Sequence, residues 1–167
     1  MKKLLPLLLF LSTLSAVGQN SLAENSKIYS SKKGLYQLKY NPESWHEEEN
    51  RSKWDAEFGD RYNLIRAYFI EYDHFLSEKH LKSEINAQFV PYGKIKKFKT
   101  FKKEINTISV NYFEFELIYD GSTCKYQGFV YNGKGGSIEL LFGGQLESME
   151  KNQESIMQFE TGFSLKN

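Results

Sequence analysis

The chain has 167 residues and a formal net charge of +1, with 13 phenylalanines, 11 tyrosines, three prolines and a single cysteine. This near-neutral charge gives no general electrostatic reason to expect nucleic acid or an anionic membrane as a partner. A single cysteine excludes an internal disulfide, so the folded domain must be stabilised by its own core.

Residues 1–23 have the pattern of a cleavable secretory signal peptide. Two lysines follow the initial methionine, an apolar run covers 4–14, and small residues then offer cleavage after Gly18 or after Ala23. The apolar run is too short for a transmembrane helix, which needs about 20 residues. We therefore predict a periplasmic or secreted protein without stable membrane insertion after cleavage.

The rest of the chain, 27–167, has the size of a single domain with one core. After cleavage the chain carries 20 basic and 21 acidic residues, since two of its 22 basic residues lie in the signal peptide. Many aromatic side chains and few prolines favour a sheet whose faces are packed by aromatic rings.

The first strand of this domain is predicted over 34–40. Its side chains alternate and place Tyr36, Leu38 and Tyr40 on one face, which we expect to face the core. Pro42 ends the strand, because proline cannot continue a hydrogen-bonded ladder.

Trp45 is expected to turn back into the core, ahead of a charged loop over 46–53. Two further strands are predicted, a short one over 54–58 and a longer one over 63–72. Both faces of the longer strand are mostly apolar, which is typical of a central strand.

A mid-chain helix is predicted over 73–89, because apolar side chains recur every four residues from Leu81 to Phe89. Asp73 or Ser77 is its expected N-cap, since both side chains can accept a hydrogen bond from the first turn.

Four more strands are predicted after the helix, over 94–105, 107–119, 125–131 and 137–142. Asp120-Gly121 and Asn132-Gly133 lie between them and supply the positive φ angles that tight hairpin turns require. These strands therefore form an antiparallel meander.

The C-terminal segment predicts one amphipathic helix, with Leu146 and Phe159 near the ends of its apolar stripe and Gly162 as its stop. Phe163 and Leu165 are expected to fold back onto the sheet. The predicted fold is α+β: an antiparallel, strongly twisted sheet of about six or seven strands, with one mid-chain helix and one C-terminal helix packed on it.

Two short motifs resemble those of PsbP-like domains. The first is the Tyr-Asn-Pro-x-x-Trp element that ends the opening strand, and the second is the Gly-Phe-Ser that follows the last helix. The matching residues are Tyr40, Asn41, Pro42 and Trp45, and Gly162, Phe163 and Ser164. The order of the elements between the motifs agrees as well, so the resemblance covers most of residues 30–165.

The resemblance implies a small sheet-and-helix domain without a shared catalytic centre. PsbP-like proteins act as accessory or binding proteins and include photosystem subunits, a nuclear-transport regulator and bacterial envelope proteins. The envelope group fits the export signal. No functional residue of the family can be transferred to this sequence.

The most conspicuous candidate site is a lysine-rich strip. Its candidate binding residues are Lys94, Lys96, Lys97 and Lys99, and Lys102 and Lys103 follow directly. Such a strip can bind a phosphate, a polyanion or an acidic partner. The alternative is an edge strand whose lysines prevent sheet-to-sheet aggregation, and the absence of a net basic charge favours this alternative.

Other candidates are weaker. His74 and His80 are too far apart to share one helix face as metal ligands. Glu114 and Glu116 share a strand face about 7 Å apart, a spacing that suits acid–base chemistry and equally suits a solvent-facing strand. Cys124 is expected to be a packed strand residue, with a reactive or intermolecular thiol as the alternative.

We therefore predict an exported accessory or binding protein of the bacterial cell envelope, with a protein partner in the envelope or outside the cell. We expect a monomer without catalytic residues, cofactor, metal or nucleic-acid partner. One alternative is a small periplasmic hydrolase or metal-dependent enzyme, which a cleft of convergent polar groups with displaced pKa values would favour. Another is a sheet that encloses a small apolar ligand, for which the aromatic surplus is the hint.

Overall fold

The computed structural model of the protein describes residues 25–49 and 54–166, and the predicted signal peptide lies outside these residues. The ten strands of this part of the chain are β1 (Lys27–Ser30), β2 (Tyr36–Tyr40), β3 (Trp45–Glu47), β4 (Ala56–Asp60), β5 (Ile65–Tyr72), β6 (Lys94–Ile105), β7 (Ile108–Tyr119), β8 (Ser122–Gly133), β9 (Gly136–Gln145) and β10 (Phe163–Leu165). The three helices are α1 (Glu78–Phe89), α2 (Leu146–Lys151) and α3 (Gln153–Glu160).

The strands form two antiparallel sheets. Seven strands make the main sheet in the order β3-β4-β5-β9-β8-β7-β6, and β1-β2-β10 make a smaller sheet. Helix α1 packs on one face of the main sheet, while α2, α3 and the smaller sheet pack on the other. This architecture confirms the predicted α+β fold with its antiparallel sheet.

Trp45 lies at the centre of the larger core and is 2% exposed. Its ring centroid is 4.5 Å from that of Phe159 on α3 and 5.9 Å from that of Phe142 on β9. Its indole N–H donates to Ser155 Oγ at 3.1 Å, and its backbone N–H donates to the Asn41 carbonyl at 2.9 Å. The Tyr-Asn-Pro-x-x-Trp motif therefore turns the chain and anchors α3.

Several predicted elements are confirmed. The side chains of Tyr36, Leu38 and Tyr40 on β2 are buried, and β6 has the predicted bounds. Helix α1 uses Ser77 as its N-cap, whose Oγ accepts from the backbone N–H of His80 at 3.3 Å. The chain after α3 folds back as predicted, since β10 pairs with β2.

The C-terminal helix differs from the prediction, because Asn152 divides it into α2 and α3. Asn152 has φ −109° and ψ 22°, and its side-chain amide donates to the Ser148 carbonyl at 2.8 Å. A short polar side chain that hydrogen-bonds the backbone in this way competes with helix continuation.

Two loop predictions are also wrong. Asn132-Gly133 lies within β8, and the turn falls at Lys134-Gly135, where Gly135 and Gly136 have φ angles of +89° and +120°. Gly135 and Gly136 take the positive angles more readily than asparagine does. The segment after Trp45, expected as a loop, begins with strand β3, which pairs with β4.

No helix in the described residues combines the length and the apolar character that a membrane span requires.

We expect Trp45→Ala to lower the free energy of unfolding by about 3–5 kcal/mol, because it leaves a cavity between α3 and the main sheet. Trp54 is half-buried, so Trp54→Ala is a matched control with an expected loss of about 1 kcal/mol. Urea denaturation of both variants measures the two values. Equal losses would contradict the central role of Trp45.

Candidate functional site

A cleft of about 260 Å³ opens on the α1 face of the main sheet, beside the C-terminal end of α1. Four neighbouring strands, β5, β9, β8 and β7, each contribute one side chain to it, and the last turn of α1 contributes two more. The lining residues are Trp54, Tyr68, Gln88, Phe89, Tyr92, Leu117, Tyr126 and Leu141. Five of these eight are aromatic, so we call this site the aromatic cleft.

Tyr126 is fixed in the cleft by contacts on several sides. Its ring stacks on Phe115 with centroids 5.1 Å apart and lies 4.6 Å from the ring of Phe89. Across the sheet it faces Gly143, where a Cβ would come within 2.4 Å of the tyrosine ring. Only glycine leaves room for the ring at this position.

Burial raises the pKa of Tyr126 to about 12, and the nearby Cys124 acts in the same direction. The hydroxyl therefore stays protonated at neutral pH and keeps both a donor and an acceptor.

A hydrogen-bonded network lies behind the cleft wall. Glu139 on β9 is 1% exposed, and Tyr72 donates its hydroxyl to Glu139 Oε2 at 2.7 Å. Gln88, which lines the cleft, donates Nε2 to the Tyr72 hydroxyl at 3.0 Å. Within the described residues, Oε1 of Glu139 and Oε1 of Gln88 are buried without a hydrogen-bond partner. The network thus ends in two unsatisfied acceptors.

Burial raises the pKa of Glu139 to about 7, although the hydrogen bond from Tyr72 and the nearby amide of Gln88 oppose the shift. The pKa of Tyr72 is raised as well, first by burial and then by the charge of Glu139. Glu139 reaches the cleft only through Gln88, because its own side chain is not part of the lining.

The predicted lysine strip lies on β6, which is an edge strand of the main sheet, as the alternative interpretation required. Lys97 Nζ is 2.7 Å from a carboxylate oxygen of Glu116, and Lys99 Nζ is 3.0 Å from one of Glu114. The register shifts between Lys96 and Lys99, a bulge that is a common device on edge strands. Two of the four candidate lysines therefore face carboxylates, and anion binding by the strip stays a prediction.

His46 and the remaining candidates lie apart from the cleft or at its margin. His46 Nε2 is 3.2 Å from Glu48, whose pKa is held down mainly by its hydrogen bond to Arg66. His80 Nδ1 is 3.0 Å from Ser77 Oγ at the start of α1. Cys124 is a half-buried free thiol on β8. Within residues 25–49 and 54–166, no three His, Cys, Asp or Glu side chains cluster closely enough to hold a metal.

Motifs and spacing did not single out the residues of the cleft. The aromatic surplus was the available signal, because it suggested a sheet that encloses an apolar ligand. The Gly143-Gly144 pair is a second signal, because a glycine within a strand often marks close packing, and here Gly143 leaves room for the ring of Tyr126.

Comparison with known proteins identifies the fold. No family model matches the sequence, and no curated protein matches it. Among solved structures, the cyanobacterial PsbP of Synechocystis superposes with a TM-score of 0.61 at 13% identity, covering 92% of this chain and 99% of its own. LpqN of Mycobacterium tuberculosis, described as involved in cell envelope biogenesis, gives 0.57 at 8% identity over 85% of this chain and 91% of LpqN.

The Ran-binding protein Mog1p of Saccharomyces cerevisiae gives a TM-score of 0.53 at 8% identity, covering 86% of this chain and 96% of Mog1p. At these identities the likeness concerns the fold alone. The protein is an α+β protein of the antiparallel-sheet class. More narrowly, it has the fold of the cyanobacterial PsbP and LpqN structures, which is the fold that the resemblance to PsbP-like domains implied.

The raised pKa of Glu139 predicts a pH-dependent stability. Because the folded-state pKa of about 7 exceeds the ordinary value of 4.5, the folded protein binds this proton more tightly than the unfolded chain. The stabilisation is complete below about pH 4.5 and is lost as the pH rises to about 7, for a total of about 3 kcal/mol.

Glu139→Gln should abolish this loss, which urea denaturation at pH 5 and pH 8 measures. Glu104→Gln, at an exposed position of β6, is the control that should retain the wild-type pH dependence. An unchanged loss in Glu139→Gln would show that another group titrates.

We expect the double variant Glu114→Gln/Glu116→Gln to elute from heparin at higher salt than the wild type, because it frees Lys97 and Lys99. Adding Lys97→Gln and Lys99→Gln should return elution to the wild-type position. Identical elution of the double variant and the wild type would show that the ion pairs do not limit anion binding by the strip.

Proposed function

We propose that the protein is exported and acts as an accessory binding protein of the bacterial cell envelope, with the aromatic cleft as its binding site. The single observation that carries this proposal is the cleft itself. Binding sites are typically concave and mostly apolar with a few polar groups, and here aromatic rings surround one amide, that of Gln88.

The lining of the cleft is preformed. Tyr126 is held between Phe115 and Phe89, and Tyr68 packs against Trp54 with ring centroids 5.6 Å apart. A ligand that enters such a site orders few side chains, so little of its binding free energy is lost to side-chain entropy. Covering the exposed ring surface removes apolar area from water and favours binding.

The envelope location rests on two supports. Residues 1–23 carry the features of a signal peptide, and LpqN, which has the same fold, is described as involved in cell envelope biogenesis. We extend that location to this chain as part of the proposal. The ligand or protein partner is then a component of the envelope.

Export predicts a shortened protein outside the cytoplasm, with its first residue at Gln19 or Glu24. Leu8→Arg/Leu9→Arg interrupts the apolar run and should leave the full-length chain in the cytoplasm. Ile28→Arg, an apolar-to-arginine exchange at an exposed position of β1, should be processed normally. Cell fractionation and N-terminal sequencing read the result, and an unprocessed wild-type chain would contradict export.

To test binding, the protein is purified from the producing cells with whatever N-terminus the cells leave on it. Low-molecular-weight and protein fractions of envelope extract are added separately, and the indole N–H signals are followed by NMR. We expect one fraction to shift the Trp54 signal and to leave that of the buried Trp45 unchanged. No shift of Trp54 with either fraction would contradict a binding role for the cleft.

A further inference from the structure

We infer that the aromatic cleft binds a small, soluble organic ammonium ion, one whose nitrogen carries alkyl groups. This inference rests on the proposed function, because it names the ligand class of the same site. Three features of the cleft support it: the arrangement of its rings, its lack of positively charged lining residues and its size.

The rings of the cleft meet at steep angles. Trp54 and Tyr68 are inclined by 56° with centroids 5.6 Å apart, and Phe89 and Tyr126 by 59° at 4.6 Å. Aromatic faces carry partial negative charge, and a cavity lined by several rings, here by five, is the arrangement that recognises quaternary and alkylated ammonium groups.

The polar groups of the cleft also favour a cation. Within the described residues, none of the eight that line it is lysine, arginine or histidine. Among the described residues, Oε1 of Gln88 and Oε1 of Glu139 are buried acceptors without a hydrogen-bond partner, and both lie behind the cleft surface. Unsatisfied acceptors attract a positive group and disfavour phosphate or carboxylate ligands.

The charged residues around the cleft act in the same direction. The carboxylate of Glu57 acts electrostatically on Tyr68, and that of Glu84 acts on Tyr72. Arg66 acts on Tyr68 in the opposite sense, but its guanidinium is paired with Glu48 and lies 3.8 Å from Glu57. Glu57 and Glu84 thus add negative charge near the tyrosines, and Arg66 offsets part of it.

The size of the cleft suits a small ligand. Its volume of about 260 Å³ is below the range of about 300–1,000 Å³ that drug-sized ligands occupy.

The decisive test compares choline with 3,3-dimethyl-1-butanol, which has nearly the same shape without the charge. The protein is used in the form the cell produces, and the Trp54 indole N–H signal is followed during NMR titration. We expect choline to bind about 10-fold more tightly than the neutral alcohol, with the Trp45 signal unchanged.

Variants at the mouth of the cleft locate the interaction. Tyr92 lines the cleft yet is 54% exposed, so its replacement leaves the core intact. Tyr92→Leu should weaken choline binding by about 3- to 10-fold, whereas Tyr92→Phe keeps the ring and should bind as the wild type does. Tyr119→Leu is the matched control, since Tyr119 is 59% exposed and lies outside the lining.

Equal affinities for choline and the alcohol would overturn the inference, and so would an absence of choline binding. If choline fails while an envelope fraction shifts Trp54, the proposed function stands and only the ligand class is wrong. Sedimentation with phosphatidylcholine vesicles, together with no shift of Trp54 by free choline, would assign the cleft to a lipid and overturn the soluble ligand. If neither choline nor any fraction shifts Trp54, the proposed function fails as well.

Discussion

The packing of Trp45 against α3 and β9 is the interaction on which the arrangement of the domain depends. The indole follows directly on the turn at Asn41, so the same short segment ends β2, begins β3 and reaches the helix through Ser155. The rings of Phe58 and Tyr40 contact the ring of Phe159 beside this indole. Because Tyr40 lies on β2, its contact joins the smaller sheet to the same aromatic cluster. The smaller sheet, α2 and α3 thus cover one face of the main sheet. Helix α1 covers the other face.

A helix the length of α1 cannot cover that second face. Its 12 residues span about 18 Å, whereas β7 and β8, with 12 residues each, span about 40 Å. Part of the sheet surface therefore lies beyond the helix, and aromatic side chains occupy it. The cleft lies in the part of this face that α1 leaves uncovered. Gly143 has no side chain, and the ring of Tyr126 occupies the space beside it.

Local patterns predicted those features that depend on neighbours in sequence. Alternation identified the buried face of β2, and periodicity with a hydroxyl side chain identified α1 and its cap at Ser77. The cleft could not be predicted in this way, because Tyr126 meets Gly143 only through the pairing of β8 with β9. The partners of Lys97 and Lys99 likewise depend on the bulge in β6, which strand periodicity does not reveal. The interruption at Asn152 was missed because the apolar stripe continues through both helices.

The smaller sheet holds both ends of the described chain beside one strand. Strand β2 lies between β1 and β10, with Lys27 opposite Tyr40 at one end and Leu165 opposite Tyr36 at the other. The described chain therefore enters and leaves at opposite ends of β2. A pull on its two ends acts along the strands and loads their hydrogen bonds together, in shear, so that they do not open one after another. An attachment at either end would transmit force through this sheet, on the face of the main sheet opposite the cleft.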